Sequence, residues 1–246
     1  MTGRTGGRTG ERLLTGVLLC GALGACGSTS EPSAVDRGRQ LLDSATLSAS
    51  NLNDYVCSTC HDVDANPTPS RKTGGALAGV TLRPSFWGGQ EGDLLGAINA
   101  CRDHFMGDNQ PLAASDEQAR ALYAYLQSLE PGDARPISMT IVTTIDPLPR
   151  GDAERGRDLY AQACMYCHGS MHDGRARSSD RVPILPEDTI AEHAQYSARV
   201  QRLVFIEKIR HGLFLGYGGV MPPFSIEVLS DAEVSDVLEG LGAIGE

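Results

Sequence analysis

Aromatic side chains are scarce, at 5% of 246 residues, while glycine is frequent at 29. Cores built from so few large rings are thin, and a large buried cofactor would compensate. Long apolar stretches are also lacking: the run Leu13 to Leu23 falls well short of the roughly 20 residues that a permanent membrane-spanning helix needs. Basic residues are the third shortage, with 21 Lys and Arg against 31 Asp and Glu. Such a balance excludes a nucleic-acid partner and favours basic partners or plain solubility. The length is generous for one compact domain and comfortable for two of about 100 residues each.

Residues 1–25 carry Arg4, Arg8 and Arg12 ahead of that apolar run, which reads as a signal peptide and is set aside from the fold. The stretch LGAC at 23 to 26 resembles the lipobox of bacterial lipoproteins, in which the cysteine becomes the acylated first residue. That resemblance implies a lipid anchor at Cys26. The alternative is a soluble exported protein cleaved nearby. Residues 26–33, polar and small, then form a tether. Without residues 1–25 the chain keeps 18 basic and 30 acidic residues, a formal charge near −12.

The chain repeats itself. VDRGRQLL at 35 to 42 is echoed by AERGRDLY at 153 to 160, and each precedes a Cys-x-x-Cys-His motif, CSTCH at 57 to 61 and CMYCH at 164 to 168. From Gly38 to Cys57 is 19 residues and from Gly156 to Cys164 only 8, so the first half carries an 11-residue insertion, expected to be a loop. Ser115 and Asp116 follow Met106 at the same offsets, 9 and 10, at which Ser230 and Asp231 follow Met221. Each Ser-Asp opens a predicted helix, with Ala119, Leu122, Tyr123 and Leu126 as the apolar face of the first and Val234, Val237, Leu238 and Leu241 of the second. Another helix is expected over Leu94 to Arg102. Residues 131–150, with proline at both ends, suit an extended linker wrapped on one domain. The expected class is all-α: a domain at 34–130, a linker at 131–150 and a domain at 151–246.

Two Cys-x-x-Cys pairs allow zinc, a redox dithiol or haem. Zinc knuckles usually lie about 15 to 20 residues apart, whereas 104 positions separate Cys60 from Cys164. Thioredoxin-like dithiols follow a strand in a βαβ unit, and no such alternation surrounds these motifs. The histidine closing both copies favours haem c. The thiols of Cys57 and Cys60, and of Cys164 and Cys167, add to the vinyl groups, and His61 and His168 lie under the irons. A tight turn entering a helix would put these side chains on one face.

CMYCHG, GVMPPF and LSDAEVSDVLEGL together resemble a class I cytochrome c domain. That resemblance implies a small helical fold, Met221 as the distal iron ligand and packing of the last helix on the first. It also implies an aromatic at Tyr160 against the terminal helix, with Leu42 in its place in the first half. The first half has two candidates for the distal position. Met106 stands where the internal repeat puts the ligand. Cys101, in INACR, is loosely similar to the cysteine that binds the catalytic haem in dihaem thiosulfate dehydrogenases and SoxA-type proteins, and equally suits a buried small hydrophobe. His104, His172, His193 and His211 read as surface residues, and Trp87 as a cover for the first haem or a packing residue.

The expected protein is therefore an exported, lipid-anchored dihaem electron carrier on the periplasmic side of a bacterial membrane, exchanging electrons with partner proteins. The rival reading is a thiosulfate-type oxidoreductase with Cys101 on its first haem. A third possibility is a haem-bearing subunit of a larger complex.

Overall fold

The computed structural model describes residues 31–64, 71–130, 139–140, 142–212 and 221–243. The signal peptide, Cys26, most of the tether, part of the linker and the start of GGVMPPF lie outside the described residues. Residues Pro32–Glu246 form one compact unit. Among the described residues there is no β-strand, only isolated bridges such as Asp62 with Ala76. The chain is helical.

Helix α1, Ala34–Leu42, starts where the Ser33 hydroxyl accepts from the Asp36 amide, and α4, Glu117–Ser128, packs across it. In the second half α5, Ala153–Ala163, is capped by Asp152 and crosses α9, Asp231–Gly240. Ser230 and Glu233 close a capping box at the start of α9. These two crossings explain the repeated Arg-Gly-Arg. A Cβ on Gly38 would lie 2.0 Å from the Ala121 carbonyl oxygen, and one on Gly156 would lie 1.8 Å from that of Asp236. Only glycine lets the backbones approach so closely.

Tyr125, not Tyr123, completes the buried face of α4 with Ala119, Leu122 and Leu126; Tyr123 is 50% exposed. Both tyrosines satisfy helical spacing, but the one beside Gly38 is Tyr125. The expected face of α9 is buried at all four positions. Helix α3 runs Leu94–His104, past the expected end at Arg102.

Each Cys-x-x-Cys-His is a single turn and enters no longer helix: α2 spans Cys57–Cys60 and α6 Met165–His168, where Gly169 at φ 69° ends it. Two further helices, α7 over Glu187–Glu192 and α8 over Ala198–His211, complete the second half. The first-half insertion does more than connect. Leu47, in a 3₁₀ turn over Ala45–Leu47, is buried against Met106 and Leu122, and the Ser48 hydroxyl donates to the Met106 carbonyl at 2.9 Å. The described linker residues hold mainly to the second half, where Thr140 bonds Glu227 and Ile145 and Leu148 pack on its core, while Met139 also lies against Gly75 of the first half.

Candidate functional site

The α2 turn is held by the His61 amide on the Cys57 carbonyl at 3.0 Å and by the Gly74 amide on the Cys60 carbonyl at 2.7 Å. Gly74 lies flat on the imidazole; a Cβ there would come within 2.2 Å of the His61 ring. Burial, helped by the nearby Arg83 charge, pushes the His61 pKa down to about 4, so the ring is a neutral donor at ordinary pH. Burial likewise pushes Cys57 up to about 11 and Cys60 to about 12, the latter aided by neighbouring thiols. A redox-active dithiol needs a lowered thiol pKa, the opposite direction.

A cavity of about 520 Å³ opens beside this turn, within the size range of cofactor pockets. It brings together Cys57, Cys60, His61, Cys101 and Met106. Met106 is 5% exposed, and its chain packs with Leu47 and Leu122. Cys101 is pushed up to about 12 by burial and then by Cys57. Both candidate distal ligands therefore line one wall system. Trp87 lines it too, stacked on Phe105 at 5.7 Å.

At the second motif His168 is buried, and its Nδ1 sits 2.9 Å from the Pro183 carbonyl. A carbonyl only accepts, so Nδ1 carries the proton and the Nε2 lone pair is bare, the tautomer a metal ligand needs. Burial lowers the pKa of this ring, against the Pro183 bond, keeping it neutral. Cys164 is buried and pushed up to about 12 by burial. Tyr160 is 1% exposed and donates to the Gly169 carbonyl at 2.9 Å, fixing the end of α6. Met221 packs on the second-half core, and its amide donates to Gly212 at 3.1 Å. Gly212, at φ 73°, allows this, since a Cβ there would lie 1.8 Å from the Met221 carbonyl oxygen.

These residues fit a haem. His61 Nδ1 and Arg83 Nε are both buried without a hydrogen-bond partner at the wall of the first cavity, which is otherwise mostly apolar. Arg83 offers a cation to the acidic edge of such a group. Among the described residues no three Cys, His, Asp or Glu side chains come close enough to hold a bare metal ion.

Three buried arginines, Arg102, Arg202 and Arg210, escaped the sequence reading, and the first and last of them flank the methionines. Arg102 donates from Nε to the Leu47 carbonyl at 3.0 Å, from Nη1 to Gln110 at 2.6 Å and from Nη2 to Asp108 at 2.5 Å. Arg210 Nη1 reaches the carbonyls of Phe224 and Leu229 at 3.1 and 2.7 Å, and Nη2 reaches Asp231 at 2.6 Å. Arg102 and Arg210 each tie the segment after a methionine to the helix before it. The signal was an arginine on an otherwise apolar helix face, which periodicity scores as a solvated residue.

Of the histidines, His104 and His172 are exposed, but His193 is 6% exposed and stacks on Tyr196. His211 is half-buried between Glu207 and the Val142 carbonyl, where it pins the linker. For His193 the surface assignment fails, because its ring is buried against the nearby Tyr196; for His211 it is half met, because the linker carbonyl of Val142, 69 positions away, accepts from its Nε2.

No curated protein matches the chain. Residues 151–239 match the family described as cytochrome C oxidase, cbb3-type, subunit III. The second half, with α5, the CMYCH turn, Met221 and α9, is therefore a cytochrome c domain, a kind of domain that binds haem c covalently and moves electrons.

Proposed function

We propose that the chain carries two covalent haems c and serves as an exported, membrane-tethered electron carrier. Cys57 and Cys60 attach the first haem and Cys164 and Cys167 the second; His61 and His168 are the proximal ligands, Met221 and Met106 the distal ones. The observation that carries this reading is the first cavity, where a Cys-x-x-Cys-His turn, a buried neutral imidazole and a buried methionine meet outside the matched family segment. Haem supplies the one-electron chemistry; the chain sets the potential through ligand identity and burial. Tandem cytochrome c domains at 34–130 and 151–246 follow from the same reading, as do redox partner proteins, basic-surfaced electron donors or acceptors. Lipidation at Cys26 supplies the membrane attachment. Alkaline pyridine spectra and the mass of the denatured protein should show two haems per chain; a single haem would remove the first site.

A second reading rests on Cys101, which lines the same cavity beside Cys57. As distal ligand it would lower the first potential and suit thiosulfate-type oxidation. Cys101→Ala and Met106→Leu, made separately, decide between them. A low-spin signal of the first haem that changes only in Cys101→Ala selects the cysteine, and thiosulfate oxidation by the purified protein selects the enzyme.

A further inference from the structure

Four consecutive residues, Arg71 to Gly74, are bonded alternately to the two halves of the chain. The Arg71 amide donates to the Gln162 carbonyl at 3.1 Å, and its guanidinium reaches the Val228 carbonyl at 3.2 Å and Glu233 at 2.8 Å. Lys72 turns the other way: its Nζ donates to the Ser58 carbonyl at 2.7 Å, inside the first motif, and pairs with Asp62 at 3.2 Å. Thr73 turns back, its hydroxyl shared between the Pro223 and Pro222 carbonyls at 2.8 and 3.2 Å. Gly74 donates to Cys60 and lies on the His61 ring.

Two of these partners belong to opposite sites. Gly74 touches the proximal histidine of the first, and Pro222 directly follows Met221 of the second. Proline has a fixed φ and no amide hydrogen, so the Met221–Pro222–Pro223 segment has little freedom of its own, and a bond on its carbonyls is transmitted to Met221. Pro222 and Pro223 also line the first cavity, together with Ser225. One wall of the first site is therefore the loop that presents the second site's methionine.

We propose that Arg71–Gly74 is a coupling strap: it ties the proximal side of the first haem site to the Met221 loop, so that methionine ligation in the second site and the order of the first depend on each other. This rests on the reading of Met221 as a distal ligand. Coupling of two sites through one shared element is reciprocal in free energy. Thr73 is a positioning residue, acting on Met221 through two proline carbonyls.

Imidazole added to the full-length holoprotein competes with Met221 for the second iron. The displaced ligand is followed by the shifted methyl resonance of iron-bound methionine, assigned by its loss in Met221→Leu. Thr73→Val removes the shared hydrogen bond and should raise imidazole affinity at that site roughly tenfold, the size of one net hydrogen bond. Thr73→Ser keeps the hydroxyl and should restore the parent affinity. Equal affinities in parent and Thr73→Val overturn the coupling. The reverse arm needs no change in the strap: Met221→Leu should speed hydrogen exchange of the Gly74 amide several-fold. Identical exchange rates overturn the proposal even if Thr73→Val does not fold. If Met221→Leu removes no bound-methionine resonance, the assignment of Met221 as a ligand falls, and the strap with it, by a different signal.

Discussion

Arg102 and Arg210 show how much can rest on one guanidinium. Each is buried, at 5% and 2% exposure, and each directs its two Nη nitrogens to carbonyls and a carboxylate of the segment after a methionine. Leaving those acceptors buried and unpaired is costly, and the loss of one partner of a buried ion pair typically costs about 3–5 kcal/mol. Arg102→Met, which leaves the buried Asp108 carboxylate unpaired, should lower the unfolding free energy by that much, and Arg210→Met by less, about 1–3 kcal/mol for its orphaned carbonyls, because Asp231 is exposed; a loss near zero in denaturant titrations would show that water takes over the bonds. His211 gives a pH-dependent term. Burial works against its charge, but the Val142 carbonyl and the Glu207 carboxylate are both acceptors and outweigh it, so its pKa is raised above the ordinary 6.5. A raised folded pKa means stability that is complete below about pH 6.5 and lost as pH rises through the folded value. The stability difference between parent and His211→Gln should therefore shrink from pH 6 towards pH 8, as followed by denaturant titrations across that range. These contacts were illegible beforehand, because a lone Arg or His on a helix gives no local pattern that names its distant acceptor.

At the level of elements, the helix crossings are set by glycines, Gly38 on α1 and the facing pair Gly156 and Gly240 on α5 and α9. Gly156→Ala or Gly38→Ala forces α5 from α9, or α1 from α4, against backbone atoms that cannot yield as a side chain would. Overpacking of this kind costs about 1–3 kcal/mol. Gly92→Ala, with nothing within 4 Å of the added carbon, is the matched control and should be neutral; thermal unfolding of the three variants reads the contrast. The helices themselves were legible. α4 and α9 follow from apolar spacing and from Ser-Asp starts, although only Ser230 caps with its side chain; Asp116 makes no such bond. The choice between Tyr123 and Tyr125 was not legible, since both fit a 3.6-residue period and only the approach of Gly38 separates them.

For the molecule as a whole, the strap and the Arg181 contacts to Leu52 and Asp54 bind the halves on two sides. The exposed Arg181 pair adds little, on the order of 1 kcal/mol or less; the part-buried strap carries more. Residues Pro32–Glu246 form one compact unit, so the holoprotein should unfold in one calorimetric transition. Thr73→Val combined with Arg71→Leu should split it in two. A parent that already shows two transitions would mean the halves are independent.

The sequence alone determined the local chemistry: two Cys-x-x-Cys-His turns, a methionine at the same offset before each terminal helix, and the helices that frame them. These depend on neighbours within a few positions, where spacing carries the information. Only the tertiary structure decided that Cys101 and Met106 share one cavity, that buried arginines hold the methionine segments, and that Thr73 of the first half bonds the proline pair after Met221. Those pairings join residues up to 150 positions apart. They are selected by shape and by the cost of leaving a buried polar group unpaired, neither of which leaves a period in the chain.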